Sequence, residues 1–314
     1  MPINRRSFLS SAAAASAALG VAFSGDAARA DDVVRVGTLP IDPALQCYYA
    51  QEKGFYSKAG ITANIQSFTS GGAIAAGIAG GAIDIGNVDL ISMVSAFARG
   101  LPFVIITPSA VYKESAQTYW FIVKQSSAIR SAKDFAGKII ATNGLRNINE
   151  ILTDAWIDNN GGDSKTAKYV ELPFPAMVPA LEAGRIDAAV VTEPTLAITG
   201  AKYRVISMAH KNIAPTFMLA AWVAHRDWAS KQPALARRYA NVMYETAKWA
   251  NANHEETARI LSDVSTLSPA ITQRMRRAYY GESASTALIQ PMIDTCVRYG
   301  VIDKPLKASE MVWS

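Results

Sequence analysis

The chain has only two cysteines, Cys47 and Cys296, in 314 residues. That excludes a disulfide scaffold and any C-x-x-C redox or zinc motif. The two thiols can pair with each other in an oxidising compartment, or remain two separate buried thiols. Histidine is almost as scarce: His210, His225 and His254 are the only three. No H-E-x-x-H, G-x-S-x-G or phosphate-cradling glycine loop occurs, and Gly77, Gly80 and Gly81 have the wrong spacing for a dinucleotide fingerprint. No catalytic centre, metal or cofactor is therefore expected. Dense basic runs are absent too; Arg274, Arg276 and Arg277 form the tightest cluster, a pattern typical of a solvated helix face. The formal net charge of +5 gives no basis for a nucleic-acid partner.

The first thirty residues do not read as part of a fold. Asn4-Arg5-Arg6-Ser7-Phe8-Leu9-Ser10 is a twin-arginine run, Ala12 to Phe23 is an apolar stretch too short to span a bilayer, and Ala28-Arg29-Ala30 offers a small-x-small cleavage point. The order fits a twin-arginine signal peptide over 1–30, cut near Ala30, and implies export to the periplasm. Three basic residues and one acid fall within it, which leaves a mild net charge of +3 on the remainder.

Half of the residues are apolar, ample for one large or two medium domains. Strand-like runs (33–37, 61–68, 83–86, 103–107) alternate with helical ones (from Asp42-Pro43 to about Lys53, 73–79, 88–99). Such alternation implies βα units and a mainly parallel sheet. The pattern then restarts with strands at 118–123, 138–141, 168–172, 188–191 and 204–206. A helix over 147–160 puts Ile148, Ile151, Leu152, Ala155 and Trp156 on one stripe. Beyond Arg226 the chain reads as helix at 233–251, 254–263, 269–279 and 285–299.

One internal echo organises the rest. Gly81-Ala82-Ile83-Asp84-Ile85-Gly86 is repeated 103 residues later as Gly184-Arg185-Ile186-Asp187-Ala188-Ala189. In each, a glycine stops a helix and an aspartate opens a short apolar strand, so Asp84 and Asp187 read as structural. The echo implies two similar α/β lobes. Pro-bearing breaks at 107–110 and 213–216 place the second inside the first: lobe 1 as 31–109 plus 216–314, lobe 2 as 110–215, with two crossings that make a hinge.

Tyr49 to Tyr56, Ser70-Gly71-Gly72, Gly81 to Gly86, Asp134 to Lys138 and Ala180 to Ala188 with Glu193-Pro194, taken in order, resemble the SsuA/THI5-like (NMT1-like) solute-binding proteins. Tyr49-Ala50-Gln51-Glu52-Lys53-Gly54-Phe55-Tyr56 with Ala59-Gly60-Ile61 is similar to the family's opening. Ser70-Gly71-Gly72, the Gly81–Gly86 run and Asp134-Phe135-Ala136-Gly137-Lys138 follow in order. Ala180-Leu181-Glu182-Ala183-Gly184-Arg185-Ile186-Asp187-Ala188 with Glu193-Pro194 matches its later signature. The loop Leu39-Pro40-Ile41-Asp42 lacks the aromatic often found there. The resemblance implies a periplasmic-binding-protein type II fold: two lobes, each a mainly parallel sheet flanked by helices. It implies a monomer that captures a small molecule and docks on an ABC permease, with a periplasmic ligand sensor or an enzyme on the same fold as alternatives.

In open parallel sheets ligands bind beyond the carboxyl ends of the strands. That rule selects Thr38 to Asp42 (with Leu39 and Asp42), Ser70-Gly71-Gly72, Asn87 to Asp89, Asn143 to Asn147, and Thr192 to Pro194. Ser70-Gly71-Gly72 opens a helix whose free N–H groups suit an anion, or is an ordinary serine cap. Arg146 is the strong cation of these loops and suits a carboxylate or sulfonate, or is a loop arginine in water. Asn147 can cap the helix that follows, and Phe174 can form an apolar wall or simply pack in the core. Glu193 would repel an anion, accept from an amine or pyrimidine N–H, or bond backbone across the cleft.

Overall fold

A computed structural model describes residues 32–313; the leader and its cleavage point lie outside the described residues. The strands are β1 (Asp32–Thr38), β2 (Ile61–Ser67), β3 (Ile85–Asp89), β4 (Phe103–Pro108), β5 (Ala110–Lys113), β6 (Trp120–Lys124), β7 (Ile139–Thr142), β8 (Lys168–Glu171), β9 (Ala188–Val191), β10 (Tyr203–Ser207), β11 (Thr216–Met218), β12 (Ala220–His225) and β13 (Tyr279–Tyr280). They form two five-stranded sheets, β2-β1-β3-β12-β4 and β10-β6-β9-β7-β8, and a small β11-β5-β13 sheet. Reversing the second order to β8-β7-β9-β6-β10 superimposes it on the first. In each sheet a single strand, β12 or β6, runs antiparallel to the other four. The expected α/β class with mainly parallel sheets flanked by helices is what the chain adopts.

The echo seen in the sequence is structural. Gly81 (φ 69°) and Gly184 (φ 68°) both take the left-handed conformation that glycine accepts without strain. The chain then turns into β3 or β9. Gly86 in β3 serves close packing instead: a β-carbon there would lie 2.3 Å from Ile74 Cγ2 in the helix Gly71–Ala79, so only glycine lets that helix sit on the sheet. The predicted stripe of helix Ile148–Asn159 is buried, from Ile148 to Trp156.

Two local expectations differ, and two open points are decided. Asp42 is not a helix cap; Asp42–Ala44 is a single 3₁₀ turn and the α-helix begins at Gln46, because the Asp42 carboxylate is drawn to Arg277 and to the backbone N–H of Ala278. The helix read over 269–279 stops at Thr272. Beyond it, the N–H groups of Arg276 and Ala278 donate to the carboxylates of Glu193 and Asp42 rather than to helix carbonyls, and the chain extends into β13. The apolar run Ala220–His225, which carried no assignment, is a central strand. Its Trp222 is fully buried, with Nε1 donating to Gln46 Oε1 at 2.8 Å while Gln46 Nε2 donates to the Met243 carbonyl at 2.7 Å, so the buried polar groups are satisfied. Finally, Cys47 and Cys296 are free thiols in separate core clusters.

Candidate functional site

The carboxyl ends of parallel strands from both large sheets, with the amino ends of the antiparallel β6 and β12, meet around one small cavity of about 30 Å³. The first sheet contributes Leu39, Ile41 and Pro43 after β1, Gly71 after β2, Asn87 and Asp89 on β3, and Ala220 on β12. The second contributes Tyr119 before β6, Asn143, Asn147, Ile148 and Asn149 after β7, and Phe174 after β8. The space is about that of one water molecule.

Asp89 is the one acid among these residues, and no Lys, Arg or His lines the cavity. It ends β3 and caps the helix Leu90–Ala98 by accepting the Ser92 N–H at 2.9 Å. The same oxygen, Oδ1, accepts the Ile148 N–H at 3.2 Å, a direct bond from one sheet's loop to the helix of the other. Burial raises the Asp89 pKa, and the hydrogen bonds from Ser92 and Ile148 pull it back down. Burial also raises the Tyr119 pKa, with the charge of Asp89 adding to the effect.

Asn147 caps helix Ile148–Asn159 as expected, its Oδ1 accepting the Asn149 N–H at 3.0 Å. Asn143 Oδ1 gathers two amides, Asn147 Nδ2 at 2.9 Å and Asn149 Nδ2 at 2.6 Å, which fixes the loop after β7. Asn87 donates through Nδ2 to Ser109 Oγ at 2.8 Å, and Ser109 Oγ donates to the Pro43 carbonyl at 2.9 Å.

The other expected site residues stand elsewhere. Ser70 Oγ accepts the Ala73 N–H at 3.3 Å as a helix cap, and neither Ser70 nor Gly72 lines the cavity. Arg146 turns away: with φ of 58° it sits in the left-handed region, and its guanidinium donates to the Gly300 carbonyl. Its backbone N–H donates to Glu150 Oε2 at 2.8 Å. Asp42 and Glu193 form a second contact beside the cavity. The Asp42 N–H donates to the Glu193 carbonyl at 3.0 Å, and Glu193 accepts from the N–H groups of Arg276 (3.0 Å) and Ala197 (2.9 Å). Asp42 itself pairs with Arg277 Nη2 at 2.9 Å and accepts the Ala278 N–H at 2.5 Å. Burial raises both pKa values, and these partners lower them.

Sequence reasoning passed over Pro43, Tyr119, Ile148, Asn149 and Ala220, while Ile41 lies within a chosen loop. Pro43, Ile148 and Asn149 follow chosen loops directly, so a window two residues wider finds all three; Tyr119 stands at the amino end of β6, where the rule about carboxyl ends does not look. Ala220 carried no signal while β12 was unrecognised.

Comparisons with known proteins agree with this fold. The model of the family described as NMT1/THI5 like matches residues 44–257, more than half of the chain. The taurine-binding periplasmic protein of Escherichia coli K12 is 26% identical over 189 residues, which cover 59% of this chain and 57% of that protein. The match thus spans little more than half the length of that relative. Among solved structures, the alkanesulfonate-binding protein SsuA of Xanthomonas axonopodis pv. citri, bound to MOPS, is similar with a TM-score of 0.75 and 17% identity, over 90% of this chain and 98% of that one. The periplasmic aliphatic sulphonate binding protein SsuA of Escherichia coli gives 0.71 and 16%, over 90% and 92%.

Proposed function

Since the chain belongs to the NMT1/THI5-like family, we propose that it is an exported solute-binding protein that captures a small zwitterion, an amine joined to a sulfonate or carboxylate, and hands it to an ABC-type importer. It works in the periplasm as a monomer, after a twin-arginine leader is removed near Ala30. The lobes are 31–109 with 216–314, and 110–215, and they swing about the two crossings. The observation that carries the reading is the bond from Asp89 to the Ile148 N–H at 3.2 Å, which joins the loops of the two sheets across the cavity.

A ligand has to part that bond, because the cavity of about 30 Å³ is too small to admit it. A zwitterion replaces it with two better ones. Its acid group takes the Ile148 N–H at a helix N-terminus, where negative charge is favoured. Its amine faces the Asp89 carboxylate. Each end touches a different lobe, so the ligand stabilises the closed form specifically. The name of the taurine-binding relative supports this class. A neutral or cationic pyrimidine is the second reading, favoured by a lining with one carboxylate and no cation.

Calorimetry with taurine and with ethanesulfonate, which lacks the amine, tests the reading. Taurine is expected to bind about tenfold or more tighter, and Asp89→Asn to erase the difference. Equal affinities in the native protein would remove Asp89 from ligand recognition. A thermal-shift screen in which no small amine, acid or pyrimidine stabilises the protein would sink the solute-binding function itself.

A further inference from the structure

Arg276 and Ala278, whose N–H groups bond Glu193 and Asp42, also line a much larger space that shares no lining residue with the cavity between the sheets. A groove of about 1140 Å³ runs between the turn Glu114–Gln117 and the C-terminal segments 251–258 and 272–279. We propose that this groove is a second binding site, for a small organic monocarboxylate, separate from the cavity between the sheets.

Arg277 lines the groove although its side chain is only 7% exposed. Its Nη2 is committed to Asp42 Oδ1 at 2.9 Å and to the Tyr49 hydroxyl. Its Nη1 is buried and has no hydrogen-bond partner. A buried donor left unpaired on a charged group is rare and calls for an acceptor. Arg276, next along the chain and exposed, also lines the groove and sets its guanidinium 5.3 Å over the Trp120 ring. Two cations therefore share one wall, and Asp42 balances one of them. Arg276 and the unpartnered Nη1 of Arg277 thus offer donors from one wall, suited to a single acidic group of a ligand. A planar carboxylate matches guanidinium N–H groups in shape. Glu114 and Glu255 also line the groove, but both are exposed, where water and salt screen their repulsion. Nη1 is buried, so an acceptor reaches it only as the groove wall shifts, a cost that a charge-assisted bond offsets.

Benzoate serves as the probe, titrated into the full-length protein by calorimetry. Binding is expected, and Arg276→Gln is expected to weaken it roughly tenfold, the loss of one charge-assisted contact. Arg277→Lys, which cannot serve Asp42 and an occupant together, is expected to abolish it. Since that variant breaks a buried pair, its melting temperature is read alongside, and Arg276→Gln carries the test if it does not fold. Saturating taurine is expected not to displace benzoate, and Arg276→Gln to leave taurine affinity unchanged. Absence of benzoate binding, unchanged affinity in Arg276→Gln, or displacement by taurine overturns the second site. A failure of taurine to bind bears only on the cavity between the sheets, because the Arg276→Gln comparison needs no taurine.

Discussion

Asp84 and Asp187 make the same pair of hydrogen bonds in the two sheets. Asp84 Oδ2 accepts the Arg35 N–H at 2.8 Å while its own N–H donates to the Arg35 carbonyl at 2.8 Å. Asp187 Oδ2 accepts the Ile139 N–H at 2.8 Å and its N–H donates to the Ile139 carbonyl at 2.8 Å. Each aspartate thereby ties the start of one strand to its parallel neighbour, β3 to β1 and β9 to β7. The settings differ in charge: Arg35 Nη2 lies 2.6 Å from Asp84, whereas Lys138 is 3.9 Å from Asp187 and both of those side chains are about two-fifths exposed.

Asp84→Ala is therefore expected to cost about 2–3 kcal/mol of stability, and Asp187→Ala about 1 kcal/mol. Urea unfolding of both variants gives the ranking directly. Equal losses would mean that the Arg35 guanidinium adds nothing to the backbone bonds.

The buried pair of Asp42 and Arg277 predicts a non-additive pair of substitutions. Arg277→Met strands the Asp42 carboxylate and is expected to destabilise by about 3–5 kcal/mol. Adding Asp42→Asn should recover part of that loss, since it removes the uncompensated charge and keeps an acceptor for the Ala278 N–H. A double variant no more stable than Arg277→Met would place the energy in packing rather than in charge.

Asp154 predicts a pH dependence. Burial lifts its pKa to about 7, against the hydrogen bond from the Tyr169 hydroxyl at 2.6 Å, which lowers it; Glu150 and Asp158 push it further up. Between the ordinary value of 3.8 and about 7 the folded chain holds a proton that the unfolded chain has released. Stability tied to this group is thus present at low pH and falls as the pH climbs from about 4 to about 7. Relative to the native protein, Asp154→Asn is expected to gain on the order of 2 kcal/mol across that window, allowing for water at a partly exposed site. Parallel melting curves in pH would reject the assignment.

Both thiols are buried and pushed up to about 12, so neither should react with iodoacetamide at neutral pH while the chain is folded. In denaturant without reductant, mass spectrometry is expected to find both alkylated. A native mass two hydrogens lighter, with no labelling on unfolding, would reveal a disulfide instead.

Much of the site was legible because strand ends and helix caps are local. Asn87, Asp89, Asn143 and Asn147 follow short apolar runs, and each lies where the rule about carboxyl ends puts it. Arg146 misled because charge is visible in a sequence and backbone conformation is not: its φ of 58° swings the side chain to the Gly300 carbonyl. Asp42 and Glu193 carry the right chemistry but spend it on partners 236 and 83 residues away, Ala278 and Arg276. No local pattern announces such long-range claims. The same contacts explain why a helical pattern beyond Thr272 yields to an extended chain.

The position of β12 between β3 and β4 has a consequence for synthesis. The strands of the second sheet are contiguous, from Trp120 to Ser207, so that sheet can close as soon as its last strand leaves the ribosome. The first sheet was begun earlier but lacks a middle strand until His225 emerges. On the nascent chain, the half encoded later is the first that can be finished, and the edges of β3 and β4 wait for it.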